Sequence, residues 1–223
     1  MIVEGDLAAG LKNGLEAIGV SVAPEKEHKL LDFIALIAKW NRVYNLTAVR
    51  EPSNMLTHHV LDSLAVAPHI EGHTLLDVGS GAGLPGIPLA IARADLHVTL
   101  LDSNAKKTTF QQQAVIELAL HNVEAVNARV EALAPSLQFD IVISRAYSDL
   151  EQFVCAAGPF CAPGGTLAAM KGLYPEDELA RVPATFEVEK VVPLKVPGVE
   201  GERHLVLMRR ARRDSVGPSE ARA

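Results

Sequence analysis

A chain of 223 residues that is 48% hydrophobic can bury a sizeable core, as one full domain with a small extension. Its formal net charge of -6 argues against a protein that coats nucleic acid by bulk electrostatics, since that mode needs basic side chains to displace phosphate counterions; a localised contact stays open. The two cysteines, Cys155 and Cys161, form no CxxC pair and give no support to a disulfide framework or zinc site, and no leader-like or membrane-spanning apolar run is present, so a cytoplasmic protein with no membrane partner is expected.

In chain order, residues 1 to about 22 carry a helical pattern (Leu7, Leu11, Leu15, Ile18) that ends at Gly19, and Pro24 opens a second helix. From Glu25 to about Trp40, Leu30, Leu31, Phe33, Ile34, Leu36 and Ile37 line a broad apolar face, which the polar segment WNRVYNLTAVREP then breaks. Met55 to Ile70 reads as a third helix with His58, His59 and Asp62 at helical spacing. Three metal ligands need convergent geometry and no fourth candidate lies nearby, so solvated or hydrogen-bonded histidines are expected there, and no metal.

The run Thr74 to Val78 has the length and apolar character of a buried strand. It breaks into Gly79, Gly81 and Gly83 before a helix expected over Pro85 to Ala94, and strand, glycine turn and helix together make a nucleotide cradle. A GxGxxG dinucleotide fingerprint needs glycine at position 84, where Leu84 stands, and Asp77 precedes the first glycine by two residues. A carboxylate there suits the amino acid end of a sulfonium ligand and repels a pyrophosphate, which favours S-adenosylmethionine over NAD; the glycines alone also fit a plain structural turn. His97 to Leu101 is a second strand that ends at Asp102, an acid about 20 residues past the turn and placed to accept hydrogen bonds from ribose hydroxyls. Asp102 can also cap the helix that opens at Asn104, and the two roles are compatible.

That helix runs to about Leu120, Val123 to Val126 is a third strand, and ARVEAL leads through a short helix to the strand FDIVIS. Leu150 to Phe160 is the next helix, CAPGG a turn, and Thr166 to Met170 strand five. Repeated βα units require a parallel, doubly wound sheet with ligands at the carboxyl ends of the strands. Phe186 to Val196 and His204 to Arg209 have no helix between them and should pair antiparallel at one edge. The expected fold is therefore α/β, a class I (Rossmann-like) methyltransferase: a helical extension over 1–70, a cofactor-binding domain over 71–210, and a frayed tail over 211–223.

WNRVYNLTAVRE, HVLDSL, LLDVGSGAGLPGIPLAI, LLDSNAKK, ARVE, ISRA, MKG and GERHLV stand here in the order in which RsmG (GidB) proteins carry them. The chain resembles that family from about Leu30 to Met208, and the resemblance implies methylation of guanine N7 in bacterial 16S rRNA of the small ribosomal subunit, with S-adenosyl-L-methionine as donor. By position, it implies that Gly79 and Leu84 contact the cofactor, with Asp77, Ser80, Gly81 and Gly83 completing the cradle. It further implies that Val130 and Glu131 clamp the adenine, although Glu131 also fits a plain helix start. Arg145 is implied as the cofactor-side residue facing the reaction centre; an arginine at a strand tip also serves in salt bridges. Lys106, Lys107, Lys171, Arg203 and His204 are implied to face RNA, while Asn45, His59 and Asp62 match amino-terminal motifs that either touch RNA or close the pocket. A basic run continues in the tail at Arg209, Arg210, Arg212 and Arg213.

The residues after strand four narrow the chemistry further. Exocyclic amine methylation usually goes with a [DNS]PP[YF] loop and pyrimidine C5 methylation with a cysteine nucleophile, whereas this chain offers Ser144, Arg145, Ala146 and Tyr147. Guanine N7 bears a lone pair and no proton, so in-line attack needs positioning and an electrophile and no general base. The competing readings are a small-metabolite methyltransferase and a non-enzymatic cofactor-binding assembly module; a monomer is expected.

Overall fold

A computed structural model describes residues 4–134, 136–145, 147 and 149–211. The expected helical start at residues 1–3, Ala146, Arg212, Arg213 and the rest of the tail lie outside the described residues.

The amino-terminal part is helical: α1 (Glu4–Ala17), α2 (Pro24–Tyr44), α3 (Pro52–Met55), a π-helical turn over Leu56–Leu61, α4 (Asp62–Leu64) and a 3-10 turn over Ala67–His69. Pro24 sits in the first turn of α2 with Glu25 and Glu27, where a missing amide and negative charge both suit the helix dipole. The helix runs four residues past Trp40 because the polar segment is itself anchored. Trp40 stacks on Tyr44 at 5.1 Å, and buried Asn41 donates to the Val49 carbonyl and accepts from Thr47 N–H. Asn45 then ends α2 in the left-handed region, at φ 49°. The π turn interrupts the single helix expected from Met55 to Ile70. Within it Asp62 N–H reaches the carbonyls of Thr57 and His59, leaving that of His58 to Arg145.

The remaining chain alternates β1 (Thr74–Val78), α5 (Gly86–Ala92), β2 (His97–Asp102), α6 (Ala105–Glu117), β3 (Val123–Asn127), a 3-10 turn over Val130–Ala132, β4 (Phe139–Ser144), α7 (Leu150–Ala157) and β5 (Cys161–Lys171). A short α8 (Glu176–Leu179) precedes β6 (Phe186–Pro193) and β7 (His204–Arg210). The sheet order is β3-β2-β1-β4-β5-β7-β6, with β1 to β5 parallel and β7 antiparallel to both of its neighbours. The doubly wound sheet closed by a hairpin is thus as the sequence pattern indicated. CAPGG, expected as a turn, is instead the first half of β5. Cys161 pairs with Phe139 across a bulge, and a β-carbon on Gly165 would stand 2.8 Å from the Asp140 carbonyl, so only glycine lets the strands run together there.

Strand periodicity distributes the core to two faces. Leu75, Ile141, Ile143, Ala168 and Leu205 pack with Leu11, Phe33, Leu61 and Phe110, so the amino-terminal helices share their core with one face of the sheet. Leu76, Val142, Leu167, Val206 and Met208 pack on the other face against Phe153, Val154 and Phe160. No helix among the described residues is long and apolar enough to cross a membrane.

Candidate active site

At the carboxyl end of β1 the chain enters the glycine turn with φ of 72°, 58° and 78° at Gly79, Gly81 and Gly83, values that side chains with a β-carbon rarely adopt. The turn is built on its neighbour strand: Gly79 and Ser80 N–H both donate to the Leu101 carbonyl, at 2.8 and 3.1 Å, and Gly83 and Leu84 N–H both return to the Ser80 carbonyl at 2.8 Å. Beside it opens a cleft of about 380 Å³ lined by Val78, Gly79, Asp102, Ser103, Lys107, Val130, Glu131 and Tyr147 among others.

Asp102 stands at the lip of this cleft with its carboxylate oriented by two backbone donors, Gly81 N–H to Oδ2 and Asn104 N–H to Oδ1, both at 2.8 Å. A carboxylate has more acceptor capacity than these two bonds consume. The helix cap weighed for Asp102 falls to Asn104, whose side chain accepts from Lys106 N–H at 3.0 Å. Across the cleft, Val130 and Glu131 occupy the 3-10 turn, and Tyr147 completes the wall. Burial, and then the negative charge of Glu131, push the Tyr147 phenol above its ordinary pKa.

Asp77 lies under the turn and not in the cleft lining. It is fully buried; Oδ2 accepts from Gly86 N–H at 2.8 Å, and Oδ1 has no hydrogen-bond partner among the described residues. Gly86 is required by this approach, because a β-carbon there would sit 2.3 Å from Leu100 Cδ2 and 2.9 Å from the Asp77 oxygen. Desolvation raises the Asp77 pKa to about 7 against the opposing pull of the Gly86 hydrogen bond and the Arg145 charge. Ser80 is also buried, and its hydroxyl accepts from Gln111 Nε2 at 2.9 Å while the same amide donates to the Gly81 carbonyl at 2.7 Å. Sequence reasoning missed Gln111. Its signal was an amide one turn after Lys107 on the inner face of α6, beside Phe110 and Ala114.

Arg145 emerges from β4 just after Ser144, whose hydroxyl is fixed on the Val78 carbonyl at 2.7 Å. Its guanidinium donates to the His58 carbonyl at 3.0 Å and to Asp62 Oδ2 at 3.3 Å, and Arg203 Nε stands 3.3 Å from the other Asp62 oxygen. The salt bridge left open for Arg145 is therefore made, and Asp62 gathers two arginines from opposite parts of the chain. Beside them His59 is buried with Nε2 at 2.9 Å from the Thr47 hydroxyl. Desolvation, then the Arg145 charge, lower its pKa to about 4, so the imidazole is neutral at physiological pH. His58 engages the Thr57 hydroxyl and the Asn54 carbonyl, and no group of three His, Cys, Asp or Glu among the described residues could hold a metal ion.

The residues implied to face RNA separate. Lys106 is exposed and Lys107 lines the cleft. Lys171 has a side chain only 9% exposed, paired with Glu178 at 2.7 Å and donating to the Tyr147 carbonyl at 3.1 Å. Arg203 is the Asp62 partner, and His204 is buried with Nδ1 at 3.0 Å from the Gly172 carbonyl and the Tyr174 ring edge-on at 5.5 Å.

The family model described as rRNA small subunit methyltransferase G matches residues 26–206. A protein named ribosomal RNA small subunit methyltransferase G from Nitrosospira multiformis is 53% identical over 211 residues, covering 92% of this chain and 98% of its own. One of the same name from Aromatoleum aromaticum is 53% identical over 208 residues, covering 91% and 99%. Among solved structures, a glycopeptide N-methyltransferase complexed with S-adenosyl-L-homocysteine superposes with TM-score 0.59 at 12% identity, covering 69% of this chain and 87% of that one. TrmN from Thermus thermophilus superposes with TM-score 0.55 at 18% identity, covering 77% and 53%. These structural likenesses carry the methyltransferase fold.

Proposed function

Since the chain belongs to the rRNA small subunit methyltransferase G family and is a methyltransferase of small-subunit rRNA, we propose that it methylates N7 of one guanine in 16S rRNA with S-adenosylmethionine as the donor. The observation that carries the cofactor assignment is the cleft between the glycine turn and the Val130–Ala132 turn. It fits the group: among the described residues a β-carbon at Gly81 would meet only the Gly79 carbonyl at 3.9 Å and Lys107 Nζ at 4.0 Å, so the backbone is open to a ligand, and buried Asp77 and Gln111 each keep an oxygen with no hydrogen-bond partner among those residues. In this reading Gly79, Ser80, Gly81, Gly83 and Leu84 form the floor, and Asp77 beneath it shapes the methionine end by holding the start of α5 through Gly86 N–H. Asp102 accepts from the ribose hydroxyls, and Val130 and Glu131 take the adenine edge. When bound, S-adenosylmethionine supplies an electrophilic sulfonium methyl.

The protein's own contribution is position. Guanine N7 carries no proton, so no base is called on, and the nearby neutral His59 is occupied by Thr47. Arg145 orients guanine or cofactor, and its guanidinium is itself held by Asp62 and the His58 carbonyl, which ties the helical segment 1–70 and the α/β segment 71–210 into one working unit. Lys106, Lys107 and Arg203 offer the localised cationic contacts that an acidic chain needs on RNA. The test is transfer of label from S-adenosylmethionine to small subunits lacking the modification, with mapping of the labelled base. A single 7-methylguanosine is expected. Label on small molecules only, or binding of the cofactor without transfer, would overturn the proposal.

A further inference from the structure

The link from β5 to β6 is fastened to the segment that follows β4. Glu178, in the short α8, takes both contacts on one oxygen: Lys171 Nζ donates to Oε2 at 2.7 Å, and Leu150 N–H, in the first turn of α7, donates to the same atom at 2.8 Å. Lys171 also donates to the Tyr147 carbonyl at 3.1 Å. Two residues beyond α8, Arg181 pairs with Asp149 at 2.7 Å, and Asp149 in turn caps α7 through Gln152 N–H at 3.2 Å. Its amino-terminal end is already pinned by the Ser144 hydroxyl on the Val78 carbonyl. Ser144 just before Arg145, the carbonyl of the cleft-lining Tyr147 and the Leu150 amide are therefore each held by a hydrogen bond.

We infer that Glu178, acting through Lys171, is a positioning residue for methyl transfer: the pair braces the segment after β4 so that Arg145 and Tyr147 stand where the reaction needs them. This rests on the methyltransferase reading of the cleft. A buried ammonium is tolerated only when paired, and a single carboxylate that neutralises it while satisfying the first amide of α7 couples the strand end to the helix start. Transfer to a neutral nitrogen lone pair depends on placement within fractions of an ångström, so a brace of this kind acts on turnover. The same contacts remove Lys171 from the residues free to meet a phosphate, because its side chain is only 9% exposed and two of its three donors are used.

The full-length protein and Glu178→Gln, Lys171→Met, Lys171→Arg and the double variant Lys171→Met/Glu178→Gln are compared on unmodified small subunits with labelled S-adenosylmethionine. Expected are a fall in kcat of about ten- to a hundredfold in each of Glu178→Gln and Lys171→Met, no further fall in the double variant, substantial recovery in Lys171→Arg, and subunit KM and its salt dependence unchanged. Amide deuterium uptake over residues 145–153 should rise in the same variants while the sheet stays protected, a readout that needs no turnover. The inference is overturned if Lys171→Met raises subunit KM and flattens its salt dependence while Glu178→Gln is silent, the signature of a phosphate contact. It is equally overturned if the variants only melt earlier with kcat per folded molecule intact. Wild-type protein that transfers no label to subunits would refute the methyltransferase reading itself, whereas active wild type with unchanged variants refutes the brace alone.

Discussion

Replacing Asp77 by asparagine isolates the cost of holding a carboxylate in the core beneath the glycine turn. Its folded pKa of about 7 lies above the ordinary 3.8, so between those values the folded chain binds more proton than the unfolded one. Stability therefore falls as pH rises through that window, is flat below 3.8, and is flat again above about 7 where both states are ionised. At ~1.4 kcal/mol per pH unit, the interval from 3.8 to about 7 sets a ceiling of about 4 kcal/mol. Asparagine keeps an oxygen for Gly86 N–H and puts an amide where Oδ1 now has no partner. That amide adds a pH-independent offset of about 1–3 kcal/mol. The assay is urea unfolding of cofactor-free wild type and Asp77→Asn from pH 4 to pH 8. The stability difference should move in the variant's favour by up to about 4 kcal/mol across the series, with most of the change complete by pH 7. A difference independent of pH would refute the argument, because it would mean that folding leaves this carboxylate in a water-like environment.

His59 carries the opposite sign. Its folded pKa of about 4 lies below 6.5, so its contribution is present above 6.5 and lost as pH falls toward 4; His59→Gln should flatten the acid limb of the wild-type stability curve between those values. Gln111→Leu strips a donor from the part-buried Gly81 carbonyl and from the buried Ser80 hydroxyl, which keeps its bond to the Leu101 carbonyl; a loss of about 1–3 kcal/mol and weaker cofactor binding by calorimetry are expected. Arg145→Ala should lower kcat by at least about tenfold and leave Asp62 with Arg203 alone, so a stability loss measured by denaturation accompanies it; full turnover with unaltered cofactor affinity would sink the role given to Arg145.

The fold was legible because its signals are local. Alternation of apolar runs with helical periodicity marked β1 to β4 nearly to the residue, and the glycine turn declared itself because three positions with φ near +58° to +78° admit little else. Asp102 was legible for the same reason: an acid at a strand end beside that turn has its surroundings supplied by neighbours in the parallel register. What escaped was decided at long range. CAPGG has turn composition, yet the backbone of β4 lies close enough to draw it into the sheet. The resemblance implied a cofactor-side role for Arg145 and an RNA contact for Lys171, but nothing local names the carboxylate that each cation meets. Only the topology brings Asp62, 83 residues away, to the first, and places Glu178, seven residues on, over the second through a helix too short to leave a periodic signature. Backbone conformation is set by a residue and its nearest neighbours; the partner of a buried charge is set by which elements the sheet order brings side by side.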